Sequence, residues 1–239
     1  LASGDFNGDG FSDLAIGSPG ERWGDYTEVG AITILYGSKN GLKSEKSVRL
    51  HQSTPGVPDK NEPNDQWGSN LISGDFNNDG YEDIAIGTPN ESSGDQKETG
   101  TITILQGSSL GITTQKSKFI HKGSLNIPGN IASYDRWGSV LIAADFNKDG
   151  YVDIVAGTPD ETVGLAYKSG SLTLLNGSAI GPIGKDSFTL NQISPGINGV
   201  SENADFWADS LAVTDLNGDG HADLVVSATT ESVGTHFDT

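Results

Sequence analysis

Asp75-Phe-Asn-Asn-Asp-Gly-Tyr-Glu-Asp83 decides the fold, because it does not occur alone. The pattern Asp-x-Asn-x-Asp-Gly-x-x-Asp also runs over Asp5–Asp13, Asp145–Asp153 and Asp215–Asp223, each copy starting 70 residues after the last. A fixed period of this size marks an array of one supersecondary unit. Each copy also brings three carboxylates and a carboxamide into nine residues. The string therefore carries architecture and chemistry together.

Other marks keep the same period. Trp67, Trp137 and Trp207 coincide, with Asp65, Asp135 and Asp205 two residues before them. After the acidic string stand Gly17-Ser18-Pro19, Gly87-Thr88-Pro89 and Gly157-Thr158-Pro159, then Glu21, Glu91, Glu161 and Glu231. The segments between these marks read as strands. Trp67–Asp75 is a first strand, A, and Tyr81–Gly87 a second, B. Thr101–Leu105 is a third, C, with alternating β-branched residues. Lys118–His121 is a weaker fourth, D. Four short strands per unit, separated by Gly and Pro, form the pattern of a propeller blade. The chain is expected to be all-β, with blades of four antiparallel strands. Its units span about 1–66, 67–136, 137–206 and an incomplete 207–239, about three and a half blades in one repeat domain. These ends do not supply complementary strands for ring closure, so the remainder of the propeller is expected from the same or another chain.

Composition narrows the function. The chain has 239 residues, a formal net charge of -18, 33 Gly, no Cys and no Met. Such acidity excludes a nucleic-acid binder, which carries basic patches, and suits cations. No run reaches the ~18 apolar residues of a membrane helix. The missing Met suggests a processed or excised piece, and no signal-peptide pattern is present.

The acidic string has the donors of a cation loop. Side chains at positions 1, 3, 5 and 9, with the backbone carbonyl at position 7, can surround one ion. These are Asp5, Asn7, Asp9, Phe11 and Asp13 in the first loop, and Asp75, Asn77, Asp79, Tyr81 and Asp83 in the second. The third has Asp145, Asn147, Asp149, Tyr151 and Asp153, and the fourth Asp215, Asn217, Asp219, His221 and Asp223. Hard oxygen donors on a flexible loop favour Ca²⁺ over Mg²⁺. An EF-hand is excluded, because position 12 is Ile16, Ile86, Ala156 or Val226 and the flanks are strands. Plain Asp-Gly turns would explain one copy, not four copies in register. Four Ca²⁺ are expected. At extracellular-type affinities of ~10⁻⁴ M and free calcium of ~2 mM, each would add about 1.8 kcal/mol. Only extracellular or periplasmic fluid supplies calcium at that level.

These residues resemble the FG-GAP repeats of integrin α-subunit propellers and their bacterial relatives. Trp67-Gly68 and Trp137-Gly138 look like the Phe-Gly element, and the Gly-Ser/Thr-Pro triplets like Gly-Ala-Pro. The fourth unit departs, with Ala208 for Gly and Ser227-Ala228-Thr229 for the triplet. The resemblance implies seven blades, calcium hairpins between strands A and B, and a protein or glycan ligand on the opposite face. In that face's first B–C loop, Trp23 breaks the repeat, with Ser93, Val163 and Val233 at the equivalent positions. Trp23, Arg22 and Tyr26 are therefore candidate ligand contacts. The resemblance implies an extracellular adhesion or ligand-binding module. Its alternatives are the non-catalytic propeller of a larger secreted lyase or phospholipase, or a subunit of an extracellular assembly. No nucleophile–base constellation stands out among the four histidines.

Overall fold

The computed structural model describes residues 1–231. Among these residues fourteen strands form four antiparallel sheets. The first blade is β1 (Ala2–Gly4), β2 (Asp13–Ser18), β3 (Ala31–Tyr36) and β4 (Lys43–Leu50). The second is β5 (Asn70–Gly74), β6 (Asp83–Thr88), β7 (Thr101–Gln106) and β8 (Thr113–Ile120). The third is β9 (Val140–Ala144), β10 (Asp153–Thr158), β11 (Ser171–Asn176) and β12 (Ile183–Leu190). The fourth sheet pairs β13 (Trp207–Thr214) with β14 (Asp223–Ala228). Each full sheet is a simple meander in chain order. The inner strands β1, β5, β9 and β13 lie side by side in sequence, and so carry the blades around one hub.

The apolar residues of the middle strands explain the stacking. Ile84–Ile86 and Ile102–Leu105 are buried on both faces, which suits a sheet sandwiched between two others. Trp67 packs with Ile32, Ile34 and Leu50 of the first blade and with Leu71, Ile84 and Ile86 of the second. Trp137 repeats this between the second and third blades, among Ile102, Ile104, Ile154 and Leu175. Gly30, Gly100 and Gly170 make room for these tryptophans. A Cβ on any of them would meet the tryptophan backbone oxygen at 2.1–2.2 Å, and all three have positive φ.

The fourth strand is longer than its sequence suggests. Lys118–His121 was the expected span, whereas β8 covers Thr113–Ile120. It is an outer strand, so the polar residues Thr113–Lys118 do not alternate in hydrophobicity. A register shift opposite Ile104–Gln106, with Lys116 at φ 59°, further hides the period. Strand A of the second blade is shorter than expected, since Trp67 bridges to Gly30 of the first blade and Gly68–Ser69 turn into β5.

The two ends of the blades differ. The acidic hairpins join β1 to β2 and its repeats at one end. At the other, each long D–A loop is laced by main-chain bonds onto the B–C loop before it. Asn64, Gln66 and Trp67 donate to the carbonyls of Thr27, Glu28 and Val29 at 3.0, 2.9 and 3.1 Å. Tyr134, Arg136 and Trp137 repeat this onto Lys97, Glu98 and Thr99, and Ala204, Phe206 and Trp207 onto Tyr167, Lys168 and Ser169.

Candidate metal centres

Every acidic hairpin is wound by its own side chains. In the first, the Asp5 carboxylate accepts from the Asp9 and Gly10 N–H groups at 3.1 and 2.7 Å. Asn7 Oδ1 accepts from Asp9 N–H at 2.9 Å, and Asp9 Oδ1 from Phe11 N–H at 3.0 Å. The third hairpin repeats the set with Asp145, Asn147 and Asp149, and the fourth with Asp215, Asn217 and Asp219. Gly10, Gly80, Gly150 and Gly220 have φ between 78° and 91°, which makes the turn. The wrapping folds each loop on its own side chains, yet among the described residues no hairpin brings oxygens of its three carboxylates within 4.8 Å of one another.

The ninth-position Asp has a second task that sequence reasoning missed. Asp13 accepts from Phe6 N–H at 2.9 Å and from Gly37 N–H, just past β3, at 2.7 Å. Asp153 does the same with Phe146 and Gly177, at 3.0 and 2.8 Å. It thus clamps the hairpin to the third strand of its blade. The signal was present in the repeated Gly37-Ser38, Gly107-Ser108 and Gly177-Ser178 pairs. Each carboxylate oxygen has two lone pairs, so one bond to each leaves capacity for an ion. The loops also cross to the next blade: Glu82 N–H donates to the Asp5 carbonyl at 3.2 Å and Ser108 N–H to the Phe6 carbonyl at 3.2 Å.

The second hairpin fits a cation best. Asp83 accepts from Gly107 N–H at 2.9 Å through Oδ1. Its Oδ2 and the Asn77 Oδ1 are buried without hydrogen-bond partners: Phe76 N–H goes to the Gly74 carbonyl and Asp79 N–H to Asp75 alone. Buried unpartnered acceptors of this kind are costly. Burial pushes the Asp83 carboxyl up to about 7, with the Asp79 and Asp75 charges adding to the shift against the Gly107 hydrogen bond. Asp13 and Asp153 move up for the same reason, burial first. A positive ion among these groups reverses that cost. The fourth hairpin is exposed on all its tip residues, and among the described residues Asp223 accepts from Leu216 N–H, at 2.8 Å.

At the opposite end, Trp23 and Tyr26 close a two-residue turn by reciprocal main-chain bonds of 3.0 Å. Trp23 is 51% exposed, Tyr26 48%, and Arg22 is exposed as well. The inner side of the Trp23 ring lies 4.0 Å from the His51 ring, tilted by 42°. Trp23 is therefore held in place without being covered.

The FG-GAP repeat model matches residues 1–35, 67–105, 137–175 and 207–237, which together make up more than half of the chain. The chain belongs to the FG-GAP repeat family. Rat phosphatidylinositol-glycan-specific phospholipase D is 32% identical over 164 residues, 66% of this chain and 18% of that protein. Rat integrin alpha-7 is 31% identical over 169 residues, 69% of this chain and 13% of that protein. Drosophila melanogaster integrin alpha-PS5 is 28% identical, over 69% of this chain and 15% of its own length. The FG-GAP chain thus spans less than a fifth of these relatives. Among solved structures, Bacillus licheniformis rhamnogalacturonan lyase PL11 superposes with a TM-score of 0.51 at 16% identity, covering 95% of this chain and 39% of that one. At that identity the likeness is one of fold.

Proposed function

We propose that this chain is a calcium-stabilised, non-catalytic segment of an extracellular β-propeller that binds a protein or glycan. The observation that carries the calcium reading is the second hairpin. There, a buried carboxylate oxygen and a buried carboxamide oxygen lie without partners in a loop that already holds two further carboxylates. All the donors are hard oxygens, which suits calcium. Four Ca²⁺ held this way would together contribute about 7 kcal/mol at ~2 mM free calcium. Such a dependence suits a calcium-rich extracellular fluid. The ring is completed to seven blades by further chain.

The ligand is assigned to the end opposite the hairpins, at Trp23, Arg22 and Tyr26. Exposed aromatic and Arg side chains on a backbone held from behind are the anchors that interfaces use. Two of the four histidines are engaged in local contacts: the His51 ring lies tilted against Trp23, and His121 Nδ1 accepts from Gly123 N–H at 3.0 Å. A second reading is that the segment belongs to a larger secreted enzyme as its non-catalytic propeller. The likeness to phosphatidylinositol-glycan-specific phospholipase D favours it.

Crystals grown with calcium test the metal assignment. Anomalous density is expected within all four hairpins, with oxygen ligands at ~2.3–2.6 Å. Water alone in a hairpin at saturating calcium overturns the assignment for that loop.

A further inference from the structure

A second acidic cluster lies between the first two blades, at the end opposite the hairpins. One carboxylate oxygen each from Glu62, Asp65 and Glu91 falls within 4.8 Å of the others. Glu62 and Asp65 come from the loop between β4 and β5, and Glu91 from the loop after β6. Asp65 and Glu91 are only 3% and 2% exposed. Asp65 accepts from Glu62 N–H at 2.7 Å, and Glu91 from Ser92 N–H at 3.2 Å. Against them lies the amide of Gln52, which is 1% exposed. Its Nε2 donates to Glu91 Oε2 at 2.7 Å, while Oε1, on the same amide carbon, is buried with no partner. Asp59 also faces Glu91, and Lys60 pairs with Glu62 at 2.8 Å from the solvent side. Burial moves the Asp65 and Glu91 carboxyls upward.

The next blade junction supplies an internal comparison. Seventy residues on, Gln52, Glu62, Asp65 and Glu91 become Lys122, Ala132, Asp135 and Glu161. The Lys122 ammonium is 4% exposed and reaches Asp135 at 3.2 Å and Glu161 at 2.8 Å. The two carboxylates that both junctions keep are therefore neutralised there by a buried cation of the chain itself. Exchanging Gln for Lys and Glu for Ala changes the charge by two units. That is the charge of one divalent ion. The Gln-with-Glu combination returns at Gln192, Glu202, Asp205 and Glu231, where Gln192 Nε2 again donates to the glutamate and its Oε1 is again buried unpartnered.

We infer that Glu62, Asp65, Glu91 and the Gln52 Oε1 bind a Ca²⁺ ion between the first and second blades, in the place that the Lys122 ammonium takes between the second and third. The donors are all hard oxygens, and they come from both sides of the blade junction. The ion fastens the D–A loop to the following blade. It is separate from the hairpin ions, which lie at the other end of the strands.

Bound calcium per chain, counted by equilibrium dialysis with elemental analysis at saturating calcium, tests this. Gln52→Lys is expected to bind one equivalent less than the wild type and to melt higher in EDTA. The double variant Lys122→Gln/Ala132→Glu is expected to bind one more. Asp79→Asn, which alters a hairpin donor, is expected to lower the count independently, and its loss adds to that of Gln52→Lys. If the hairpins hold no calcium, the difference between wild type and Gln52→Lys is still read. Equal counts for those two proteins overturn the inference. Should Gln52→Lys fail to fold, Glu91→Gln gives the same reading: one equivalent lost supports the site, and an unchanged count overturns it.

Discussion

The indole N–H of Trp67 donates to the hydroxyl of Thr103 at 3.2 Å, and Trp137 does the same to Thr173 at 3.3 Å. Both pairs are fully buried. The tryptophan thus fills the gap between two blades while its one polar atom is satisfied within the blade it opens. Trp67→Ala is expected to cost on the order of 3–5 kcal/mol of stability. Trp67→Phe should cost less, though Thr103 then loses its donor. Urea unfolding of the calcium-loaded protein reads both, and a loss below about 1 kcal/mol for Trp67→Ala would show that the ring is not a packing element.

Calcium removal is expected to lower the melting temperature strongly, because three of the four ninth-position aspartates clamp their hairpins to a third strand. Magnesium at equal concentration should restore little. A melting curve unchanged by EDTA would reduce the hairpins to solvated turns.

Without metal, acid should stabilise the fold. Asp83 and Asp65 have carboxyls raised to about 7 in the folded chain, first by burial, against 3.8 as the ordinary value. The protonated form is therefore favoured by folding. Its contribution is complete below about pH 4 and is lost as pH rises through about 7. In EDTA the melting temperature at about pH 5 should exceed that at about pH 8, and saturating calcium should remove or invert the difference. A metal-free protein more stable at the higher pH would contradict the burial of these groups.

Asp79→Ala should weaken calcium binding at the second hairpin and leave the other three near normal. Repeat arrays couple mainly through nearest neighbours. Titration calorimetry showing loss of all sites together would mean that the hairpins act as one unit.

Trp23→Ala should leave the melting temperature and calcium content unchanged, since half of the ring already faces solvent. It should weaken capture of the protein or glycan partner, read on glycan arrays and by surface binding to extracellular-matrix proteins. Unfolding on loss of Trp23 would assign the ring to support of the His51 loop instead.

Period and pattern in the sequence foretold the blades, because the middle strands of the second and third blades are buried on both faces and are built mainly of Ile, Leu, Val, Ala and Thr. The hairpins were legible for a related reason: wrapping needs oxygen at alternate positions and Gly at the sixth. The outer strand was not, since Gln115 and Lys116 face solvent while Thr114 and Ser117 donate to the carbonyls of Pro55 and Gly56, so polar residues serve on both faces. Nor were the left-handed residues Gln66, Arg136 and Phe206, with φ of 59°, 55° and 50°, which share a repeat position but no chemistry. Their conformation is imposed by main-chain bonds to the preceding blade. The Gln52–Glu91 pair shows a third limit. The exchange of Gln52 for Lys122 is visible at offset 70, yet its meaning depends on a partner 39 residues away.

The lacing between each D–A loop and the B–C loop before it repeats three main-chain bonds at all three junctions, while the side-chain bonds beside them differ: Gln66 with Glu28, Arg136 with Glu98 and Asn203 with Tyr167. The main-chain part of each joint is blind to sequence, and the side-chain pairs lie within the loop pair itself. A loop pair bounded by Gly30 and Trp67 can therefore be exchanged for the pair bounded by Gly100 and Trp137 as a cassette, its tip residues rewritten while the seam closes as before. The exposed tips on this face can thus vary without renegotiating the fold.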